Sequence, residues 1–594
     1  MERTVCELFA GVGGFRCGLN AIHGPEDMRI GGARSMGGGH PTEGEHSMEG
    51  EHSMEGEHSM EGEHSVEGEH SMEGEHSVEG GYPTEGEHSV EVGHPMEGER
   101  SREEKWSTVW FNQWEPAEKN TQYAHDCYVY HFGTCLDKAG QDTTNVDIEE
   151  VDKSLIPDFN LLVGGFPCQD YSVASSLATS RGLEGKKGIL WWSIRKVLEV
   201  KRPPFVLLEN VDRLLKSPAS QRGRDFGIML ACFRDAGYAV EWRVINAADY
   251  GLPQRRRRIF IFACREDTAY CARQERAAGY GRRAAGEARK VDVADGEAQK
   301  ANVADREARK VDVVAEEVRK VDAADGETRK VDAADGEVRK ANVADGEARK
   351  AGAAALISAA GFFAGTFPVG SVGAEQIKAQ ELPESLGELS ASFRFGFENA
   401  GVMRDGMVYT AKTTPSYQGP QTTLGDIMEQ GDVEENYFIP EERLYYTSPE
   451  ITRSDETRES LSKEQRKTWQ YLKGAKKLLR EAASGHAYVF SEGAIPMVDE
   501  YHKPARTMLT SEGSFSRTTH IVKDKRTGRI RLLTAGETER IQGFPTDHTK
   551  YCLTEGKVVE MPLNKRRFMM GNALVVGLVE RMGEALEAIF AKEP

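Results

Sequence analysis

The chain has 594 residues, with 96 acidic and 76 basic side chains and a formal net charge of −20. At about 100–200 residues per domain, that length admits two to four domains. Nine cysteines without a Cys-x-x-Cys pair exclude a disulfide scaffold and a zinc ribbon, and the opening MERTVCELFAGVGGF lacks the basic-then-apolar layout of a leader, so a cytoplasmic, reducing setting is expected.

Thr4–Ala10 reads as a strand. It runs into the glycine-rich turn Gly11-Val12-Gly13-Gly14 and then a helix, a layout that lets the backbone approach a ligand closely. The spacing is not that of a dinucleotide loop, because Arg16 fills the third glycine position. A nucleoside cofactor without a pyrophosphate fits better.

Residues 31–104 hold a six-residue repeat, GEHSME and GEHSVE. Residues 43–104 carry 20 Glu against Arg100 and Arg102, a net −18, which leaves −2 for the rest of the chain. The segment is too polar to build a core and is predicted to be disordered. Its eight histidines are read as incidental to a tandem expansion, and no metal site is expected.

Val109–Gln113 is the next predicted strand, then Leu161–Val163. The latter ends in Gly164-Gly165-Phe166-Pro167-Cys168-Gln169, which sets a thiol at the end of an apolar run. By itself this stretch leaves open a nucleophile and an inert, buried thiol. Phe205–Leu208 delivers Glu209 to the end of another strand, where a carboxyl with a raised pKa could protonate a substrate nitrogen or merely end a loop. Trp191–Val200 and Arg224–Ala236 are helical between strands, and Val240–Ile245 and Ile259–Phe262 add two more. Gln254-Arg255-Arg256-Arg257-Arg258 runs directly into the last of these, so Arg256 and Arg258 share one face. Short apolar runs alternating with amphipathic helices predict an α/β fold with a mostly parallel, doubly wound sheet, its site at the carboxyl ends of the strands.

A ten-residue repeat (GEARKVDVAD and variants) occupies residues 280–350. Ten residues at about 100° each fall about 80° short of three helical turns, so its apolar positions wind around a helix without forming a face. It is predicted to be weakly helical or disordered. Residues 351–374 carry no charge but are rich in Ala and Gly and broken by Pro368, which predicts an internal packed segment and no membrane span. The stretch 571–590 is apolar at helical spacing.

The order FAGVGGF, GFPCQ, ENV, QRRRR, RLLTAGETERIQGFP, GNALVV closely resembles the C5-cytosine DNA methyltransferase family. The resemblance covers about residues 1–30, 105–270 and 530–594. It implies a Rossmann-like catalytic domain (1–30 and 105–270, completed by 565–594) that binds S-adenosylmethionine, with a target-recognition region in 351–564 and two low-complexity insertions. It also implies that Cys168 is the nucleophile, Glu209 the acid at cytosine N3, and Arg256 and Arg258 substrate-binding arginines. The cofactor positions it implies are Phe9, Gly11, Gly13, Gly14, Trp114, Glu115, Asp147, Ile148, Pro167, Leu190 and Asn572. Where members often carry an acid before the aromatic residue, this chain has Gln113, so Gln113 or Glu115 is left for the ribose hydroxyls.

Residues 501–531 hold eight Lys/Arg against Glu512 and Asp524, and residues 462–480 hold seven against Glu464, each window a net +6. Such windows fit phosphate contact, and Thr507–Arg517 is the expected groove-facing loop. The expected activity is methylation of cytosine C5 at a specific sequence in double-stranded DNA, by a monomer without membrane attachment, with a cognate restriction endonuclease as a system partner. An RNA cytosine methyltransferase of the same fold and an inactive DNA-binding remnant are the other two readings.

Overall fold

The computed structural model describes residues 1–22, 104–116, 121–166, 189–278, 346–445, 465–481 and 486–594. The six-residue repeat, nearly all of the ten-residue repeat and the Pro167–Cys168 pair lie outside these residues; the last five residues of the ten-residue repeat, 346–350, are helical.

Every strand expected in the N-terminal half is present: β1 (Thr4–Leu8), β2 (Ser107–Asn112), β3 (Leu161–Gly165), β4 (Phe205–Asn210), β5 (Tyr238–Asn246) and β6 (Arg257–Arg265). Helices α1 (Gly14–Leu19), α2 (Tyr123–Phe132), α3 (Ile189–Lys201), α4 (Arg224–Asp235) and α5 (Ala269–Ala277) lie between or after them. β7 (Lys378–Glu381), β8 (Ala400–Arg404) and β9 (Met407–Ala411) complete one nine-stranded sheet, ordered β2-β1-β3-β4-β6-β5-β8-β9-β7. β2, β1, β3 and β4 run parallel. From β4 through β6, β5, β8, β9 and β7 each neighbour is antiparallel.

Side chains alternate across this sheet with the strand period of two. Val206 and Leu208 of β4, with Ile259, Ile261 and Ala263 of β6, face a core shared with Trp191 and Ile194 of α3 and Phe226 and Met229 of α4. Phe205, Leu207, Phe260 and Phe262 face the opposite layer. That layer holds Phe15 and Leu19 of α1 and Leu578, Val579 and Leu586 of the C-terminal helix Val576–Phe590. The end of the chain thus closes the domain that its beginning opens. The contact is tight: a Cβ added at Gly18 would stand 2.6 Å from the Val579 Cβ.

Three expectations change. The target-recognition region does not begin at 351, because β7, β8 and β9 extend the main sheet. The physical reason is the edge of β5, whose residues Val240–Arg243 pair with Ala400–Met403. The charge-free stretch is an internal packed segment as expected, with Phe362, Phe363 and Phe367 buried beneath β5 and β6. Glu104, assigned to the acidic insertion, belongs to the folded domain. Its carboxylate receives Nε and Nη2 of Arg16 at 3.0 and 3.1 Å, while Asn20 bonds both the N–H and the carbonyl of Trp106. Finally, the apolar stretch 571–590 is split, since Leu563–Asn572 and Val576–Phe590 are separate helices.

Candidate active site

The parallel strands β1, β3 and β4 end on one edge, and antiparallel β6 begins there, with Asn210 opposite Ile259 and Glu209 opposite Phe260. Glu209 lies on the face of Phe205 and Leu207, and Arg258 on the face of Phe260, so the two side chains meet. Arg258 Nε lies 2.9 Å from Glu209 Oε1, both groups largely enclosed. Burial raises the Glu209 carboxyl pKa, against the opposing pull of the Arg258 and Arg256 guanidinium charges. Gly165 pairs with Glu209 in the ladder. A Cβ there would stand 3.2 Å from Glu209 Oε2, so a glycine at this position leaves the carboxylate its space. β3 then continues through Phe166, whose carbonyl accepts from Asn210 Nδ2 at 3.4 Å, toward Pro167 and Cys168, which are outside the described residues.

The arginine run alternates as its strand period requires. Arg255 and Arg257 are exposed, Arg256 is buried and Arg258 is half-buried. Arg256 also holds two backbone carbonyls. Its Nη1 donates to the Met508 carbonyl and its Nη2 to the Gly571 carbonyl, both at 3.0 Å.

The loop after β1 takes left-handed backbone at Phe9, Gly11 and Gly13. At Gly13 (φ 87°) a Cβ would approach Phe132 to 2.5 Å. At Gly11 (φ 57°) a Cβ would meet nothing within 4 Å, so that side of the loop is open. The Gly11 N–H donates to Gln113 Oε1 at 2.8 Å, which commits that oxygen to the loop itself. Trp114 and Glu115 follow half-buried, and the Glu115 backbone is held on both sides by the Gln122 amide at 2.8 Å. Asn112 Nδ2 bonds the carbonyls of Thr144 and Val146 and so presents Asp147 beside β2. The Ile148 side chain is buried in the core, Leu190 packs against that core, and Asn572 is exposed at the end of its helix. Gly14 lies in the first turn of α1 against Leu574.

Sequence reasoning missed the support beneath this loop. Glu7 is fully buried and accepts from Tyr128 Oη at 3.1 Å, and burial pushes its carboxyl up to about 7. His548 Nε2 donates to the Val12 carbonyl at 2.8 Å, and burial holds its imidazole well below the usual range. Among the described residues Cys127, His131 and His548 converge as potential metal ligands. Their geometry serves another purpose: the two rings stack 4.2 Å apart, and His131 Nε2 donates to the His548 carbonyl at 2.5 Å. They tie the segment after residue 545 to α2 and the glycine loop. No local signal marks these partners: Glu7 and Tyr128 lie 121 residues apart in sequence, His131 and His548 417.

Most basic side chains of residues 501–531 have an acidic partner in the structure. Lys503, Arg506, Arg517, Arg526 and Arg529 pair with Glu500, Asp499, Glu492, Asp432 and Glu435, all outside the 501–531 window. Arg531 is buried against Asp524 and Glu537. The pairs of Arg506 and Arg531 are largely buried, whereas those of Lys503, Arg526 and Arg529 lie at the surface.

The profile of the C-5 cytosine-specific DNA methylase family matches residues 101–343 and 393–588. The chain belongs to this family. The Type II methyltransferase M.Sau3AI of Staphylococcus aureus is 35% identical over 482 residues, spanning 81% of this chain and 89% of that protein. M.NgoBI of Neisseria gonorrhoeae is 36% identical over 155 residues, 26% of this chain and 43% of that one. This α/β protein is a DNA cytosine-5-methyltransferase, and the paired Glu209 and Arg258 lie at the carboxyl edge of its sheet. No helix among the described residues is long and apolar enough to cross a membrane.

Proposed function

We propose that this methyltransferase transfers the methyl group of S-adenosylmethionine to C5 of a cytosine extruded from double-stranded DNA, within a specific sequence, through a transient Cys168–C6 bond. The observation that carries this reading is the Glu209–Arg258 pair, set against the glycine-cleared end of β3 from which the chain runs on to Cys168. The names of the relatives, Type II methyltransferases, support DNA as the substrate and a cognate restriction endonuclease in the same system.

The residues around the glycine loop fit the cofactor. Gly11 leaves an open backbone face, Trp114 offers a half-buried ring for an adenine, and Asp147 stands at the end of β2. Because the Gln113 oxygen is committed to Gly11, we assign the ribose hydroxyls to Glu115. When bound, S-adenosylmethionine supplies an electrophilic methyl on a sulfonium.

Cytosine C5 is a poor nucleophile. Addition of the Cys168 thiolate to C6 makes the ring an enamine, and a proton or hydrogen bond from Glu209 at N3 accommodates the electron pair. A Glu209 whose pKa is raised by burial holds a proton for that purpose at higher pH than an exposed carboxyl. Arg258 orients the carboxylate and stabilises negative charge beside it. Loss of the C5 proton and expulsion of the thiolate restore the aromatic ring, with N3 returning its proton to Glu209. The base reaches this edge only after leaving the duplex stack.

Transfer of labelled methyl from S-adenosylmethionine to duplex DNA tests the proposal. Cys168→Ala is expected to abolish it, and retained transfer rejects the nucleophile. Glu209→Gln is expected to slow transfer while cofactor binding survives. Bisulfite sequencing of DNA from expressing cells gives the target sequence.

A further inference from the structure

We infer that Arg256 is a positioning residue: it locks the base of the recognition loop to the catalytic sheet. The inference rests on the proposed DNA reading for the role of the loop, and on geometry for the lock itself.

The segment Pro253–Arg256 lies parallel to Ala505–Met508. The Ala505 N–H donates to the Pro253 carbonyl at 2.7 Å, and the Arg255 N–H donates back to the Ala505 carbonyl at 2.8 Å. Gln254, fully buried, accepts the Met508 N–H at 3.2 Å. Arg256 finishes the seam. One arm of its guanidinium holds the Met508 carbonyl and the other the Gly571 carbonyl. Gly571 is itself pressed on the loop, since a Cβ there would stand 2.4–2.5 Å from the backbone of Leu509 and Thr510.

Among the described residues, three segments therefore meet on one planar cation. The first is the entry to β6, where Arg258 grips Glu209 two residues on. The second is the root of the loop that carries the exposed Leu509 and Phe515. The third is the end of the helix Leu563–Asn572, next to the cofactor-side Asn572. The loop beyond this root is braced from within, with Glu512 accepting both the backbone N–H and Nδ1 of buried His520 at 3.0 and 2.8 Å. A rigid loop rooted through a rigid fork keeps a fixed distance between the bases it reads and the base at Glu209. Lysine, a point donor, cannot span both carbonyls.

The test compares Arg256→Met, Arg256→Lys, Gly571→Ala and Arg258→Lys in the full chain. The readout is kcat/KM on a duplex with the target sequence against duplexes changed at one base pair. Arg256→Met is expected to lower this discrimination by about tenfold or more, the scale of losing two charge-assisted hydrogen bonds. Arg256→Lys should fall between it and the parent, and Arg258→Lys should lower kcat with discrimination intact. Gly571→Ala keeps the guanidinium but pushes Leu509–Thr510, and it should reproduce the loss even if Arg256→Met does not fold. Unchanged discrimination in Gly571→Ala, or an Arg256→Met enzyme that loses kcat alone, overturns the inference. If the parent methylates no duplex, the proposed function fails and the lock is still decided. Amide hydrogen exchange at 508–511 is expected to quicken in the Arg256 variants, and parental protection there overturns it.

Discussion

Glu7 offers a direct measurement of what burial does beneath the glycine loop. Its carboxyl is enclosed by α1 and α2, bonded by Tyr128 Oη, and raised from 4.5 to about 7, with burial as the leading cause. The native chain therefore keeps a proton between those two values that the unfolded chain has released. Stability owed to that proton is fully present below 4.5, is lost as pH rises toward about 7, and is constant above it. At 1.36 kcal/mol per pKa unit the loss is ~3 kcal/mol. Glu7→Gln keeps the shape and an acceptor for Tyr128 but cannot ionise. Denaturant unfolding of parent and variant across this pH range should give a stability difference that grows in the variant's favour by ~3 kcal/mol and then levels off. A difference that stays constant with pH would refute the buried, protonated carboxyl.

Three other outcomes are expected. Arg258→Met removes the charge that holds the Glu209 pKa down, so the Glu209 titration, read by NMR of a labelled carboxyl, should move to higher pH; a downward shift would contradict the pairing. Arg531→Met leaves Glu537 and Asp524 buried without their cation, at a cost of ~3–5 kcal/mol in unfolding experiments, and adding Glu537→Gln should recover part of it. Deleting residues 43–103 and 286–345, with Glu104 retained for Arg16, should leave methyl transfer in place. A deleted chain that folds but transfers nothing would give the repeats a catalytic part.

The readable features of this chain are those whose physics is local. Short continuous apolar runs marked β1 to β6, because each strand buries both faces and so needs apolar residues at consecutive positions. The chain also showed where the strands end: Glu209 and the run Gln254–Arg258 stand where polar residues replace an apolar stretch. The even spacing of Arg256 and Arg258 predicted a common face; in the structure both turn from solvent while Arg255 and Arg257 are exposed. Composition could not show charges paired at a distance. Basic side chains of residues 501–531 meet Glu435, Glu492 and Asp499, which are supplied from elsewhere in the chain. The strands of 378–411 read as part of a separate region because what recruits them is the open edge of β5, more than 150 residues earlier in the chain for the pair Val240 and Met403.

By itself, then, the amino-acid order determined the kind of layer each segment could form and the chemical types delivered to one edge of the sheet. Only tertiary structure decided which of those groups meet. Glu209 finds Arg258 because β4 and β6 are antiparallel neighbours in a particular register, and Arg256 turns to Met508 and Gly571 because the chain's end folds back over its start. Periodicity is a property of neighbours in sequence, whereas register and closure follow from burying whole faces at once, which no short window contains.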